Sequence, residues 1–533
     1  MKRSIFALLL AIVIFTVAQV AAATDATTLE PTAVSANRFI DPNGVNLLIN
    51  PLPPFMVRPN QCLDPATPCL TLDWGAGQAD PGDTIVAACG LYKPEETAVL
   101  DKNLTVSSDS QCAIFSASGK RVINIINGAD VTLLNVQVND GDAGNSNGGG
   151  IRVGGGSALQ LDSVIVKNNR AVSGGGIYTQ GVLTINNSEV RGNHADGEGG
   201  GIRVGGKGSL MLNNSKVFGN DAGTGGGIHT SGQSMVSGNS FVSFNESLGH
   251  GGGIRAVDGS TLTITDSTVN NNRTDIKTGQ GGFLNVGGGL YISEASASIE
   301  RSFFMKNNAD RGGGIEVRSG ELMIESSTFS DNVAAGAGGG LANLGHTTAH
   351  NSTFSGNEAG DGGAFYNWGI SSILVLANVT AAFNEADSGG GLHNTSSGKV
   401  SLANSLFSKH PLGKDCVNIQ GGLIAIRSVY LSEDGSCPNA IIGSASLLPL
   451  DENGGPTPTH MPLKSSHAVD AGDSGICAEL GNVDQRMRSR VNVDGNGNPS
   501  DGNPCDLGAV ERDALPVPPL PFTHQMPLVS APR

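Results

Sequence analysis

Of the 533 residues, 77 are glycine, 15% are charged and 5% aromatic, and 48 acidic against 32 basic side chains leave a formal net charge of −16. An acidic balance argues against a nucleic-acid partner, which demands an excess of basic charge facing phosphate. Glycine at about twice its usual share falls in runs of three instead of at every third position, which excludes collagen, and 38% apolar residues exclude disorder of the whole chain.

Residues 1–23 carry Lys2 and Arg3, an apolar run from Ile5 to Val17 and the small residues Ala21 and Ala23. This is the pattern of a secretory signal peptide and is set aside from the fold. Residues 24–60 read as a linker or extended segment, and 61–130 as an N-terminal cap with the first coils. Residues 131–410 read as repeats of about 25 residues. C-terminal coils and a cap follow over 411–513, then a Pro-rich disordered tail over 514–533. No other stretch approaches the ~20 apolar residues of a membrane helix, so the mature chain is expected to be exported without a membrane span.

Eight cysteines fit an oxidising compartment. Cys62, Cys69, Cys89 and Cys112 precede the glycine-rich centre, and Cys416, Cys437, Cys477 and Cys505 follow it. All are disulfide candidates within their own end. Cys416–Cys437 and Cys477–Cys505 are plausible close pairs, although spacing does not fix connectivity. The absence of Cys-x-x-Cys and of clustered histidines argues against a zinc site.

The centre repeats. Glycine triplets begin at 148, 174, 199, 225, 251, 287, 312, 338 and 389, and Gly362-Gly363-Ala364 takes the same place once. An apolar residue follows each, as at Ile177, Ile202 and Ile228. One unit is longer, around Thr274–Phe283. Later in each unit a serine stands five residues before an asparagine, from Ser163 and Asn168 through Ser188 and Asn193 to Ser352 and Asn357. Between them lie alternating runs such as Leu183-Thr-Ile185 and Leu210-Met-Leu212, which read as short strands. Short strands and Gly/Asn turns at a fixed period predict an all-β fold, a right-handed single-stranded parallel β-helix with disulfide-bearing end caps. Stacked asparagines would bond one another along the axis. Leucine-rich repeats need leucines at fixed spacing, and calcium-binding nonapeptide repeats a nine-residue period; neither is present.

The residue after each apolar position faces outward by alternation. Arg152, Tyr178, Arg203, His229, Arg255 and Tyr291 therefore form a candidate ligand-binding stripe in which guanidinium groups alternate with rings, suited to acidic glycans or cell-surface molecules. Gly249-His250-Gly251 matches a short motif of polygalacturonases in isolation. His250, however, sits at a variable place before a triplet, and no Asp-Asp pair accompanies it. Asp196, Asp221 and Asp310 read as solvated turn residues. No catalytic residue is therefore assigned, and a non-catalytic, monomeric rod without a cofactor is expected. Asp494, Asn496, Asn498 and Asp501 alternate oxygen ligands as a calcium loop does, but Pro499 and Cys505 stand where an EF-hand has Gly and Glu; they are a candidate site for a structural calcium ion.

Gly-Gly-Gly/Ala-apolar together with Phe304–Asn307, Phe329–Asn332 and Phe354–Asn357 resembles the repeat of the polymorphic outer membrane protein family over about 148–410. Pro68-Cys69-Leu-Thr-Leu, Pro81-Gly-Asp83 and Gly90-Leu-Tyr92 are similar to the opening coils of bacterial β-helix surface proteins. Gly454-Gly-Pro-Thr-Pro-Thr459, Ala468-Val-Asp470, Asp484-Gln-Arg486 and Cys505-Asp-Leu-Gly-Ala-Val-Glu511 resemble the choice-of-anchor Q domain. These resemblances imply a bacterial secreted or outer-surface protein with an adhesive or binding role. A polysaccharide lyase or hydrolase of the pectin-lyase-like class is the alternative.

Overall fold

The computed structural model describes residues 36–45, 47–49, 57–59, 61–274, 285–490 and 505–512, all within one unit, Ala36–Arg533. Residues 1–23, residues 275–284 of the long repeat, the calcium-like loop holding Asp494, Asn496, Asn498 and Asp501, and the Pro-rich tail lie outside the described residues.

A representative coil runs Ile177–Thr179, Val182–Asn186, Glu189–Arg191 and His194–Glu198, one strand for each of four faces. Each strand pairs in parallel with its equivalent one coil on: Ile177 with Ile202, Leu183 with Leu210, Val190 with Val217, Ala195 with Ala222. Every one of these eight is buried. Among the described residues the four faces build sheets of 13, 15, 15 and 9 strands. No coil could bury its apolar residues alone; stacking gives a continuous core, advancing about 4.8 Å per coil.

Glycine makes the corner between the fourth face and the first. Gly251 adopts φ +69°, and a Cβ on Gly252 would stand 2.5 Å from the Arg273 carbonyl oxygen and 2.6 Å from that of Gly288. Neighbouring backbones close on this position, so no side chain fits.

At the corner between the third and fourth faces, asparagines form a buried ladder: Asn169, Asn193, Asn220, Asn245, Asn272, Asn307, Asn332, Asn357 and Asn384. In each step one Oδ1 accepts from both the backbone N–H and the side-chain amide of the preceding asparagine, as with Asn245 onto Asn272, both 3.0 Å. His410 ends the run, its Nδ1 lying 3.2 Å from the Asn384 N–H. In the first unit the spacing rule slips by one residue. Asn169, not Asn168, joins the ladder; Asn168 turns outward at φ +56°, and Val164, not Ser163, occupies the serine rung. The doubled Asn168-Asn169 offers two registers, and the core-facing Val166 selects the second.

Four disulfides join Cys62–Cys69, Cys89–Cys112, Cys416–Cys437 and Cys477–Cys505, all local to their ends. At the N-terminal end the strand Asn37–Ile40 pairs with Thr84–Ala87, and the helix Leu72–Gln78 buries Leu72 and Ala76 against the first coils. Inside the segment expected to be a linker, Arg38 holds Asp83 at 2.7 Å in a buried pair. No helix among the described residues is long and apolar enough to cross a membrane. Together with the disulfides, this is compatible with an extracellular protein.

The C-terminal segment returns along the flank of the solenoid. Thr328 Oγ1 donates to the Pro458 carbonyl (2.6 Å), Thr353 Oγ1 to Gln485 Oε1 (2.6 Å), Arg490 Nη2 to Asn351 Oδ1 (3.2 Å), and the Ala509 N–H to Thr380 Oγ1 (2.9 Å). The outer positions of the third face change to suit. Uncovered coils carry Glu189/Arg191 and Lys216/Phe218, whereas covered ones carry Thr328/Ser330, Thr353/Ser355 and Thr380/Ala382. Beneath the segment, Asp484 binds Arg486 at 2.7 Å, and Arg490 lies 3.8 Å from Glu511, all buried.

The last coil contains a pH-sensitive pair. Burial pushes Asp415 up to about 7, with Asp434 beside it; Asp434 itself falls to about 2, because hydrogen bonds from Ser436 outweigh its burial. A raised carboxylate keeps its proton in the folded state between the ordinary 3.8 and about 7. The contribution of Asp415 to stability therefore declines as pH rises through that window. Asp415→Asn is expected to remove this decline and raise the unfolding temperature at pH 8 relative to the parent, read by thermal unfolding across the window. A difference between the parent and Asp415→Asn curves that does not widen in the variant's favour from pH 4 to 7 would contradict the assignment.

Candidate functional site

The predicted stripe is in register on the first face: Arg152, Tyr178, Arg203, His229, Arg255, Tyr291, Glu316, Ala342, Tyr366 and His393 stand on successive coils. It is not the open surface that alternation suggested. The glycine corner folds the end of the fourth face against the first, so the residue before each triplet meets the stripe residue five positions later. Glu198 Oε2 lies 2.6 Å from Arg203 Nε, Thr224 Oγ1 3.4 Å from His229 Nδ1, and Glu316 Oε1 2.5 Å from Arg311 Nη2. The stripe thus lines a re-entrant groove. His229 and Glu316 are fully buried and Tyr291 is 7% exposed, whereas Arg152, Tyr178, Arg203 and Arg255 remain half-buried.

The groove concentrates chemistry around Arg255. Its Nη1 lies 3.0 Å from His229 Nε2, and its Cζ stands 5.7 Å from the Tyr291 ring centroid. Because a guanidinium only donates, His229 Nε2 accepts and its proton sits on Nδ1, toward Thr224. Burial, then Arg203 and Arg255, push His229 down to about 2, so it stays neutral. His250 stacks on Tyr291, with centroids 4.8 Å apart and planes at 17°. Burial, followed by Arg255, Arg311 and Arg318, lowers the His250 proton affinity. Burial likewise works against the Arg255 charge. Among the described residues His250 Nδ1 and Arg255 Nε are buried with no hydrogen-bond partner. A neutral imidazole, a cation and a phenol thus share one patch. Of the three arginines in the stripe, only Arg255 lies over a ring among the described residues.

Sequence reasoning treated His250 as an incidental residue before a triplet, and it had no means of seeing that the next coil sets a tyrosine ring under it. It also passed over Arg311, which binds the buried Glu316 and stands 6.0 Å from the Trp368 ring. The i, i+5 pairing across a glycine triplet is a signal that could have found Arg311.

A second cluster occupies the outer fourth face. His194 bonds Asp221 through Nδ1 and Asp196 through Nε2 (3.0 Å), and Arg170 holds Asp196 at 2.6 Å. Burial opposes the His194 charge, but the bonds to Asp221 and Asp196 outweigh it and raise its proton affinity. His194, Asp196 and Asp221, together with Phe244, Glu246 and Leu248, line a cavity of about 470 Å³. Asp196 and Asp221 are therefore paired, and Asp310 accepts from the Asn285 N–H at 2.9 Å, so none of the three is simply solvated. Among the described residues no group of His, Cys, Asp and Glu has the geometry to hold a metal ion.

The family pattern described as "Right handed beta helix region" matches residues 121–304, and the fold is the right-handed parallel β-helix that the repeat predicts. No curated protein matches the sequence. Similar solved structures include pectate lyase Pel9A (14% identity, TM-score 0.35, covering 90% of this chain and 97% of that one) and a rhamnogalacturonan lyase (12%, 0.31, 81% and 96%). The PL6 family alginate lyase AlyGC is a third (11%, 0.39, 84% and 58%). These likenesses describe fold. They correct the expectation of a chain outside the enzymes, because the solved proteins that this solenoid resembles are lyases.

Proposed function

We propose that the chain is an exported lyase that cleaves an acidic polysaccharide in the corner groove. The observation that carries this reading is the meeting of Arg255, His250 and Tyr291 in one half-buried patch. β-Elimination at a uronate needs a cation on the carboxylate, a base for the proton on the adjacent carbon, and an acid for the departing oxygen. Arg255 supplies the first. The His250 imidazole, unprotonated at neutral pH, takes the C5 proton. The C–H electron pair becomes the C4–C5 double bond as the C4–O bond breaks, and the leaving oxygen takes the Tyr291 hydroxyl proton. The fourth-face cavity is less suited to a polyanion, since Asp196, Asp221 and Glu246 face it.

The test is incubation of the secreted protein with polygalacturonate, alginate, hyaluronan and a galacturonate–rhamnose backbone, with and without calcium. Ultraviolet absorbance of the unsaturated chain end is the expected readout. Because Arg255 provides the charge, a chelator is expected to leave the rate unchanged. Binding without new chain ends on any of these polymers would overturn the reading in favour of an adhesive rod.

A further inference from the structure

The stripe advances about 4.8 Å per coil, close to the advance of one sugar in an extended polysaccharide, so a bound chain lying along it meets one rung per sugar. Charge along the rungs is uneven. Arg152, Arg203 and Arg255 occupy alternate rungs, with Tyr178, neutral His229 and Tyr291 between them and on the last rung. The Arg203 rung is compensated, because Glu198 sits 2.6 Å away with its side chain 42% exposed. The next charged rung, Glu316, is compensated by Arg311. Among the described residues no carboxylate lies within ion-pair distance of Arg152 or Arg255. Arg255 feels the Glu198 and Asp258 carboxylates only at longer range, so the least compensated positive charge stands at the Arg152 and Arg255 rungs.

We infer, resting on the lyase reading above, that the groove takes a polysaccharide whose uronates are separated by uncharged sugars, and not a homopolyuronate. A homopolyuronate would set carboxylates over Tyr178, His229 and Tyr291 with no counter-charge, whereas the Arg203 rung with Glu198 takes an acid from either kind of polymer. Like charges held close in a half-desolvated groove discriminate strongly. With uncharged sugars between the acids, the neutral rungs face hydroxyls and ring faces, and an acid meets Arg255, beside the reacting groups.

The experiment compares initial rates on hyaluronan and on a galacturonate–rhamnose backbone with those on polygalacturonate of equal length. Cleavage of at least one alternating polymer at about tenfold the polygalacturonate rate or more is expected. Tyr178→Arg, which puts a cation on a neutral rung, should shift that ratio toward polygalacturonate by severalfold. Equal or faster cleavage of polygalacturonate, or a ratio that Tyr178→Arg leaves untouched, would overturn this inference while the lyase reading stands. Cleavage of none of the polymers would overturn both.

Discussion

Asn272→Ala is expected to destabilise the solenoid by about 3–5 kcal/mol, among the largest effects of any single polar truncation in the chain. Asn272 Oδ1 accepts from the Asn245 N–H and from Asn245 Nδ2, both at 3.0 Å, and its own Nδ2 donates to Val242 O (2.9 Å) and Asn307 Oδ1 (3.0 Å). Truncation leaves a backbone N–H, a carbonyl and amide valences buried and unpaired. Each orphaned group costs about 1–3 kcal/mol, more than the net worth of the bond itself. The matched control is Asn168→Ala, which leaves the ladder intact and is expected to cost about 1 kcal/mol, set by its left-handed backbone at φ +56°. Urea unfolding gives the comparison, and hydrogen exchange should localise the loss to coils on either side of Asn272, since coils contact only their neighbours. Equal effects at the two positions would refute the one-residue shift of register.

On the activity side, Tyr291→Phe is expected to lower kcat by a hundredfold or more with KM little changed, because the departing oxygen loses its proton donor but the sugar keeps its ring contact. Arg255→Lys should lower kcat/KM by a similar factor. A lysine keeps the charge but cannot reach a carboxylate with a planar fork while also bonding His229. His250→Gln adds a pH test. The base must be unprotonated to act, and burial with three nearby arginines lowers its affinity for a proton below the ordinary 6.5. The rate of the parent should therefore hold as pH falls past 6.5 and decline only at more acidic values, and that acidic limb should vanish in the variant. A limb that persists in His250→Gln would assign the base elsewhere.

Much of the architecture was legible because a solenoid writes its period into the chain. Glycine triplets mark a corner where a Cβ on Gly252 has no room, and the asparagines mark a second corner where only an amide can both accept and donate along the axis. What failed to show was contact between residues that the period keeps apart. Asn168 and Asn169 differ only in which one the core admits. His250 and Tyr291 meet because the coils stack, although 275–284 separate them in the chain. A second asparagine series, Asn343, Asn367, Asn394 and Asn418, bonds at 2.8 Å per step on the first face. It was hidden because its members follow the stripe residues, where attention fell on the charged side chains. The flank contacts were equally silent: Thr328 and Gln485 lie far apart in sequence, and only the change from charged to hydroxyl side chains on the third face hints at a cover.

That cover alters how the molecule carries load. A solenoid held only by rung-to-rung pairing yields to tension one coil at a time, like tape lifted from its end. Here the returning segment is fastened near Ser326, Asn351, Thr380 and Asn404 at once. Pull transmitted through residue 512 is shared among several coils as shear, and the Cys477–Cys505 bond closes the loop that receives it.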